Sequence, residues 1–372
     1  MGMAVDFSRF AAALIWGLSG SIAFFVVFDR IILQLNQCRS KTALTYAFLA
    51  CITLLPALAG YRTGFSTWLA IPLISLIVFL SGEGIRHLLR RKHFGSMSRT
   101  RPLRRSSGRL FNTTHALVLR EYTLSSNRLP PLRIAQMTDF HLDDRFDPDY
   151  FRICLDAVRE IDPDLLLLTG DFVNESRHTE LIRQNFRDLP GRFGVFASLG
   201  NHDYWAGADQ VREALRECGI RVLSGTCERI VTDTGTAVTI CGHEAPWGGC
   251  LPDESLKADP DMPRIVMCHT PDGIFELSQN PVDLVFSGHL HGGQWRFPLI
   301  GSLVAPSTHG RLLDLGHFRF NRTDLIVSAG LGVIWIPIRL NCPPEITVVH
   351  VNPPVTQRPA KEGLSCALCV ES

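Results

Sequence analysis

The sequence predicts an α/β domain preceded by about three transmembrane helices. Three observations carry this expectation. Long apolar runs fill residues 10–28, 43–60 and 67–82. From residue 132 onward, short apolar runs alternate with amphipathic segments. The charge is also divided: residues 1–109 hold 14 Lys+Arg and 3 Asp+Glu, a net +11, while residues 110–372 hold 23 and 33, a net −10. The formal net charge of +1 over 372 residues conceals that division. With 46% hydrophobic and 20% charged residues, the composition excludes disorder and low complexity. An acidic main domain argues against nucleic acid as a partner.

The first two runs, of 19 and 18 residues, contain no charge, and the third is short at 16. The third run reads as a span or, alternatively, as a re-entrant or interfacial segment. The first run lacks a small-x-small exit and reads as an uncleaved anchor. With three spans, basic residues divide 2 against 12 across the two sides. That asymmetry predicts a multi-pass inner-membrane protein with its C-terminal domain in the cytoplasm, the alternative being a domain outside. Residues 84–120 hold no acidic residue, and such a stretch beside a span is attracted to anionic headgroups. The expected organisation is an anchor over 1–85, a linker over 86–130, a catalytic domain over 131–352 and a disordered tail over 353–372. Eleven cysteines, an odd number, in a domain large enough to need no staples predict free thiols in a reducing compartment.

In the C-terminal part, residues 132–138 read as a strand. Residues 148–161 read as a helix with Asp147 as N-cap and Pro148 at its first position. Residues 165–169 are continuously apolar, as suits a strand buried on both faces. A helix over 176–189 opened by Ser176, a strand over 195–199 and a helix over 207–218 follow. Shorter strands are expected near 220–224, 228–232 and 237–242, then over 264–268 and 284–287 with a helix over 272–278 between. Late strands fall at 325–328 and 345–351, and residues 244–263 read as a loop.

Polar residues cluster just after five of these strands. They are Asp139 and His141, Asp171, Asn201 with His202 and Asp203, His269, and His289 with His291. In an open α/β sheet, ligands collect beyond the carboxyl ends of strands, so these clusters can converge on one crevice. Asp, Asn and His without thiolate suit Mn, Fe or Zn better than Ca. A carboxylate such as Asp171 can bridge two ions, which roughly 3.5–4 Å apart clamp the attacking and leaving oxygens of a displacement at phosphorus. His202 is the candidate proton donor, with Asp203 beside it to orient the ring.

The ordered series Asp139-x-His141, Gly170-Asp171, Gly200-Asn201-His202-Asp203, His269 and Gly288-His289-x-His291 resembles the calcineurin-like metallophosphoesterase superfamily. Cys268-His269-Thr270-Pro271-Asp272, the run from Ser287 to Gln294, and the run from Leu340 to Ile346 are similar to one bacterial branch. That branch contains membrane-associated phosphodiesterases and a UDP-2,3-diacylglucosamine pyrophosphatase of lipid A synthesis. The resemblance implies a four-layer αββα fold and two divalent ions. It implies Asp139, His141, Asp171 and His291 around one ion and Asp171, Asn201, His269 and His289 around the other, with His202 facing the scissile phosphate.

Arg296, Arg311, Arg319, Arg322 and Arg339 lie downstream. Arg296 and Arg311 are candidates for binding substrate phosphate, the alternative being solvated surface arginines. Phe297, Leu299, Ile300, Leu303, Leu312, Leu313, Phe318 and Phe320 give the same region an apolar side, read as core or as an acyl groove. The expected activity is a membrane-anchored phosphodiesterase or pyrophosphatase on a lipid-linked or nucleotide-linked phosphoester. UDP-2,3-diacylglucosamine, cleaved to UMP and the acylated sugar 1-phosphate, is the leading substrate. A broad-specificity envelope phosphodiesterase and a metal-binding membrane scaffold are the alternatives.

Overall fold

The computed structural model describes residues 11–17, 70–104, 112–144, 148–257, 259–298, 300–334 and 336–354, together with 54, 58 and 62. The chain runs through helix α1 (Ala70–His93) and strands β1 (Arg99–Arg104), β2 (Leu117–Ser125) and β3 (Leu132–Met137). Then come α2 (Pro148–Ile161), β4 (Leu165–Thr169), α3 (Thr179–Asn185), β5 (Gly194–Ser198) and α4 (Asn201–Glu217). Strands β6 (Arg221–Val222), β7 (Cys227–Val231) and β8 (Ala237–His243) precede α5 (Asp253–Lys257), β9 (Arg264–Cys268), α6 (Ile274–Leu277) and β10 (Leu284–Ser287). The last elements are β11 (Arg296–Phe297), β12 (Gly301–Ser302), β13 (Gly316–Phe320), β14 (Thr323–Val327) and β15 (Glu345–Asn352).

Two mixed sheets form the centre. One has the order β1-β2-β15-β3-β4-β5-β6, the other β13-β14-β10-β9-β8-β7. The apolar run of β4 shows how they stack. Leu165 and Leu167 point into the space between the sheets, against Ile240, Ile265, Met267, Phe286 and Ile326. Leu166 and Leu168 point the other way, into a cluster with residues of α2 and α4. Alternation thus sends one strand's leucines into two separate cores, which is why no polar residue interrupts it. Helix α2 buries Tyr150, Phe151, Cys154, Leu155 and Val158, one stripe at helical spacing. Beyond the second sheet, Leu256, Ile274 and Leu277 complete a third cluster. The layers are therefore helix, sheet, sheet, helix.

The expected multi-pass membrane placement is corrected by this structure. Among the described residues no helix is long and apolar enough to cross a membrane. The third apolar run opens α1, a helix of 24 residues that also contains Glu83, Arg86, Arg90, Arg91 and Lys92. Its charged half packs on the α/β domain: Glu83 pairs with Arg311, Arg90 with Asp314, and Arg86 donates to the Ile300 carbonyl at 2.7 Å. The hydropathy signal of a short span is here the start of a longer, charged helix. The first two runs lie largely outside the described residues, as do 105–111, Asp147, Leu299 and 355–372.

Other local readings also change. Residues 99–104 and 117–125, read as part of a basic linker, are strands β1 and β2 of the first sheet, with β2 beside β15. Ser176 opens a short 3-10 turn ahead of α3, and no side chain caps that turn. Helix α4 starts at Asn201 rather than near 207, and Gly207, at φ 120°, breaks its regularity. Cys227 and Cys241, directly opposite on β7 and β8, form a disulfide, which corrects the expectation of free thiols throughout. Among the described residues Cys154, Cys218, Cys250, Cys268 and Cys342 are free.

Candidate metal centre

Strands β3, β4 and β5 run parallel in one sheet and β9 and β10 in the other, so five carboxyl ends meet along one edge of the stack. Gln136 ties the two sheets just below that edge, donating to Thr169 Oγ1 at 2.8 Å and to the Ser287 carbonyl at 2.9 Å. Backbone bonds join the turns above: Asp139 N–H to the Gly170 carbonyl at 2.9 Å, His141 N–H to the Asp171 carbonyl at 3.0 Å, and Gly288 N–H to the His269 carbonyl at 2.9 Å.

At this edge Asp139, His141, Asp171 and His291 form one group of converging donor atoms, and Asp171, His269 and His289 form a second. Asp171 belongs to both. The Nε2 atoms of His141 and His291 stand 3.0 Å apart, and His291 Nε2 is 3.4 Å from Asp139 Oδ1. Asp171 Oδ2 lies 3.6 Å from His141 Nε2 and 3.2 Å from His269 Nε2. Backbone conformation marks the same residues. Asp139, His141, Asp171, His289 and His291 all have φ between 47° and 66°, the left-handed region. Such conformations cost about 1–3 kcal/mol each for residues with a side chain and collect at functional sites.

The donor set fits divalent ions. His269 Nε2 and Asn201 Oδ1 are buried and make no hydrogen bond. The opposite nitrogens of three rings are anchored, which frees the inward lone pairs. His141 Nδ1 donates to Asn174 Oδ1 at 2.8 Å, His269 Nδ1 to the Thr169 carbonyl at 2.6 Å, and His289 Nε2 to the Pro306 carbonyl at 2.9 Å. Gly200 keeps the crevice open: a Cβ there would sit 2.3 Å from Asp171 Oδ1 and 2.7 Å from His269 Nε2.

Electrostatics follow from burial and proximity. Burial pushes the His289 imidazole down to about 4, with the neighbouring His269 adding to the effect. Burial likewise lowers His141 and His291, and Arg339 contributes to both. Burial lifts the Asp139 carboxyl to about 7. Asp171 is the reverse: burial would raise it, but His269 and then His202 hold it well below the carboxylate range. For His269, burial opposes charge, yet Asp171 wins and lifts the imidazolium to about 9. A divalent ion must displace that proton. Chelator-stripped protein should therefore release protons on binding Mn²⁺ at neutral pH, and its apparent affinity should climb with pH up to about 9. Calorimetry in buffers of different ionisation enthalpy measures this, and a pH-independent affinity would remove His269 from the ligand set.

His202 stands beside the cluster. Its ring lies 4.6 Å from that of His141, and its backbone N–H donates to Asp171 Oδ1 at 2.8 Å. Asp203 is not beside the His202 ring. It is buried, and its carboxylate accepts the N–H groups of Gly200, Asp171 and Phe172 at 2.8–2.9 Å. Adjacent residues at a helix start point in different directions, so sequence adjacency misleads here. Arg296 and Arg311 are committed elsewhere. Arg296 donates to Asp314 Oδ2 and the Gly292 carbonyl, both at 2.8 Å, and Arg311 pairs with Glu83 and donates to the Ser302 carbonyl at 2.6 Å. Of the apolar residues downstream, Leu313, Phe318 and Phe320 are core, while Phe297 is exposed.

Two buried charges escaped the reading of the sequence. Glu244 follows β8, at the start of residues that read from sequence as a loop. Its Oε1 accepts the Leu199 N–H at 2.6 Å, ahead of Asn201. Arg339, which reads as one of several downstream arginines, is fully buried behind His291.

An acid-and-imidazole centre with a shared carboxylate, at the carboxyl ends of strands from two stacked sheets, defines a metal-dependent phosphoester hydrolase. The chain belongs to the calcineurin-like phosphoesterase family, whose members use two divalent metals; residues 132–293 match it. The chain is similar to the phosphodiesterase YaeI of Escherichia coli (strain K12), 32% identical over 234 residues, covering 59% of this chain and 82% of that one. The metallophosphoesterase YkuE of Bacillus subtilis (strain 168) is 27% identical over 253 residues, covering 63% and 85%. The UDP-2,3-diacylglucosamine pyrophosphatase LpxG of Chlamydia muridarum (strain MoPn / Nigg) is 26% identical over 275 residues, covering 59% and 83%.

Proposed function

We propose that this enzyme hydrolyses a phosphodiester or pyrophosphate of a nucleotide-linked or lipid-linked substrate, with UDP-2,3-diacylglucosamine as that substrate. UMP and the acylated sugar 1-phosphate are the products. The observation that carries the reaction class is Asp171 held in common by two groups of metal-ligating side chains. The likeness to LpxG supports the substrate.

In this reading Asp139, His141, Asp171 and His291 hold one ion, and Asp171, Asn201, His269 and His289 hold the other. Two such ions supply charge neutralisation at the phosphoryl oxygens and activation of the attacking water. His202 faces the phosphorus and hands a proton to the leaving oxygen. Burial pushes its imidazole down to about 3. An anionic phosphate beside it supplies the charge that raises it into a working range. The His202 N–H bond to Asp171 keeps the ring in register with the shared ligand. Asp203 positions both strand ends through the amides it accepts, acting through Asp171 rather than on the substrate.

Product analysis tests this. Mn²⁺-loaded protein is offered UDP-2,3-diacylglucosamine beside bis-p-nitrophenyl phosphate. UMP release well above the rate on the model diester is expected. Hydrolysis of the model diester alone would remove the assigned substrate while leaving the reaction class.

A further inference from the structure

Two tryptophans border the centre, and the mechanism uses neither. The Trp205 ring lies 4.7 Å from that of His202 and is 41% exposed. The Trp247 ring lies 5.2 Å from that of His289 and 6.1 Å from that of His269. One indole therefore stands by the proton donor and the other by the second group of ligands. Neither indole N–H makes a hydrogen bond among the described residues, whereas Trp295 donates to the Ile338 carbonyl at 2.8 Å.

Both tryptophans hang on one buried polar network. Tyr204, next to Trp205, donates its hydroxyl to Glu244 Oε2 at 2.6 Å, and Arg212 reaches the same carboxylate oxygen at 3.2 Å. Glu244 also begins the turn that carries Trp247. Its carbonyl accepts the N–H groups of Trp247 and Gly248 at 3.0 Å, and its own N–H donates to the Gly249 carbonyl at 2.8 Å. Gly248 lies so close to Tyr204 that a Cβ would overlap the phenol oxygen. A fully buried carboxylate thus fixes two aromatic rings at the rim of a polar site. Solvent exposure of an indole is unfavourable, and a rigid ring loses little entropy on stacking.

We propose that Trp205 and Trp247 are the walls that receive a nucleobase carried on the substrate phosphate, and that they select nucleotide esters over alkyl esters. Base–aromatic stacking tolerates any base, and a free indole N–H adds a donor for a ring carbonyl. The inference rests on the reading of the centre as a phosphoester hydrolase. It adds the residues that would distinguish a nucleotide diester from other diesters.

The test uses two diesters with the same leaving group, thymidine 5′-(p-nitrophenyl phosphate) and ethyl p-nitrophenyl phosphate, with the full chain loaded with Mn²⁺. The wild type should favour the thymidine ester by about tenfold or more in kcat/KM, mostly through KM. In Trp205→Ala and Trp247→Ala that ratio should fall toward one, while Trp→Phe at either position should keep most of it. Trp→Leu, which keeps apolar bulk without the ring, serves in place of any alanine variant that does not fold. Titration with thymidine monophosphate should quench indole fluorescence in the wild type and less so in each variant. A wild-type ratio near one, or a ratio untouched by both substitutions, overturns the proposal while hydrolysis itself stands. Hydrolysis of neither ester overturns the reading of the centre and the proposal with it.

Discussion

Asp171→Asn should lower kcat/KM on bis-p-nitrophenyl phosphate by about 10³-fold or more, on the scale of losing one charge stabiliser of the transition state. The substitution is nearly isosteric. The amide oxygen can still accept the His202 N–H that Asp171 Oδ1 accepts at 2.8 Å. The amide nitrogen then occupies the place of Oδ2, which lies 3.2 Å from His269 Nε2 and 3.6 Å from His141 Nε2. A donor there faces both inward lone pairs, and the negative charge common to the two groups is gone. Metal content by atomic emission should fall below two ions per chain, with a circular dichroism spectrum like that of the wild type. Full turnover with two ions bound would show that Asp171 is not the shared ligand.

The convergence of the candidate ligands is legible because they sit at strand ends, and strand ends are local. The leucine run of β4 and the residues after it, Gly170 and Asp171, are contiguous, as are β10 and His289 with His291. What the sequence conceals is pairing across long separations. Arg120 reads as the last residue of a basic stretch without acids, yet it pairs with Glu345 at 2.6 Å across the β2–β15 junction. Arg90 finds Asp314 in the same way. Arg90 with Asp314 is thus one place where the basic part of the chain meets the acidic part within one structure. A run of basic residues after an apolar stretch carries the signature of a membrane flank whether its partners are headgroups or carboxylates more than two hundred residues away. Asp203 fails for another reason. Its type and position are right for steadying His202, and only the direction of its side chain, set by the first turn of α4, sends it to the amides of 171, 172 and 200 instead.

Arg339→Leu should unfold the metal centre before it touches the chemistry. The guanidinium is fully buried, and no carboxylate pairs with it among the described residues. Its charge is met by backbone oxygens instead: Nε donates to the Gly332 carbonyl at 3.0 Å, Nη2 to the Ala329 carbonyl at 2.8 Å and the Gly330 carbonyl at 3.3 Å, and Nη1 to the Cys342 carbonyl at 3.4 Å. These bonds hold residues 329–332, whose own amides grip the first ligand turn, Leu331 N–H to the Thr138 carbonyl at 3.0 Å and Gly332 N–H to the Asp139 carbonyl at 2.6 Å. Leucine leaves several buried carbonyls without a donor, at about 1–3 kcal/mol for each. A loss of at least about 3 kcal/mol is expected, together with a lower Tm and weaker retention of metal during dialysis. Arg339→Lys keeps the charge but cannot reach every carbonyl with one ammonium, so it should fall between the two. An Arg339→Leu protein with wild-type Tm and metal content but a raised KM would instead make Arg339 a substrate contact, which its burial behind His291 argues against.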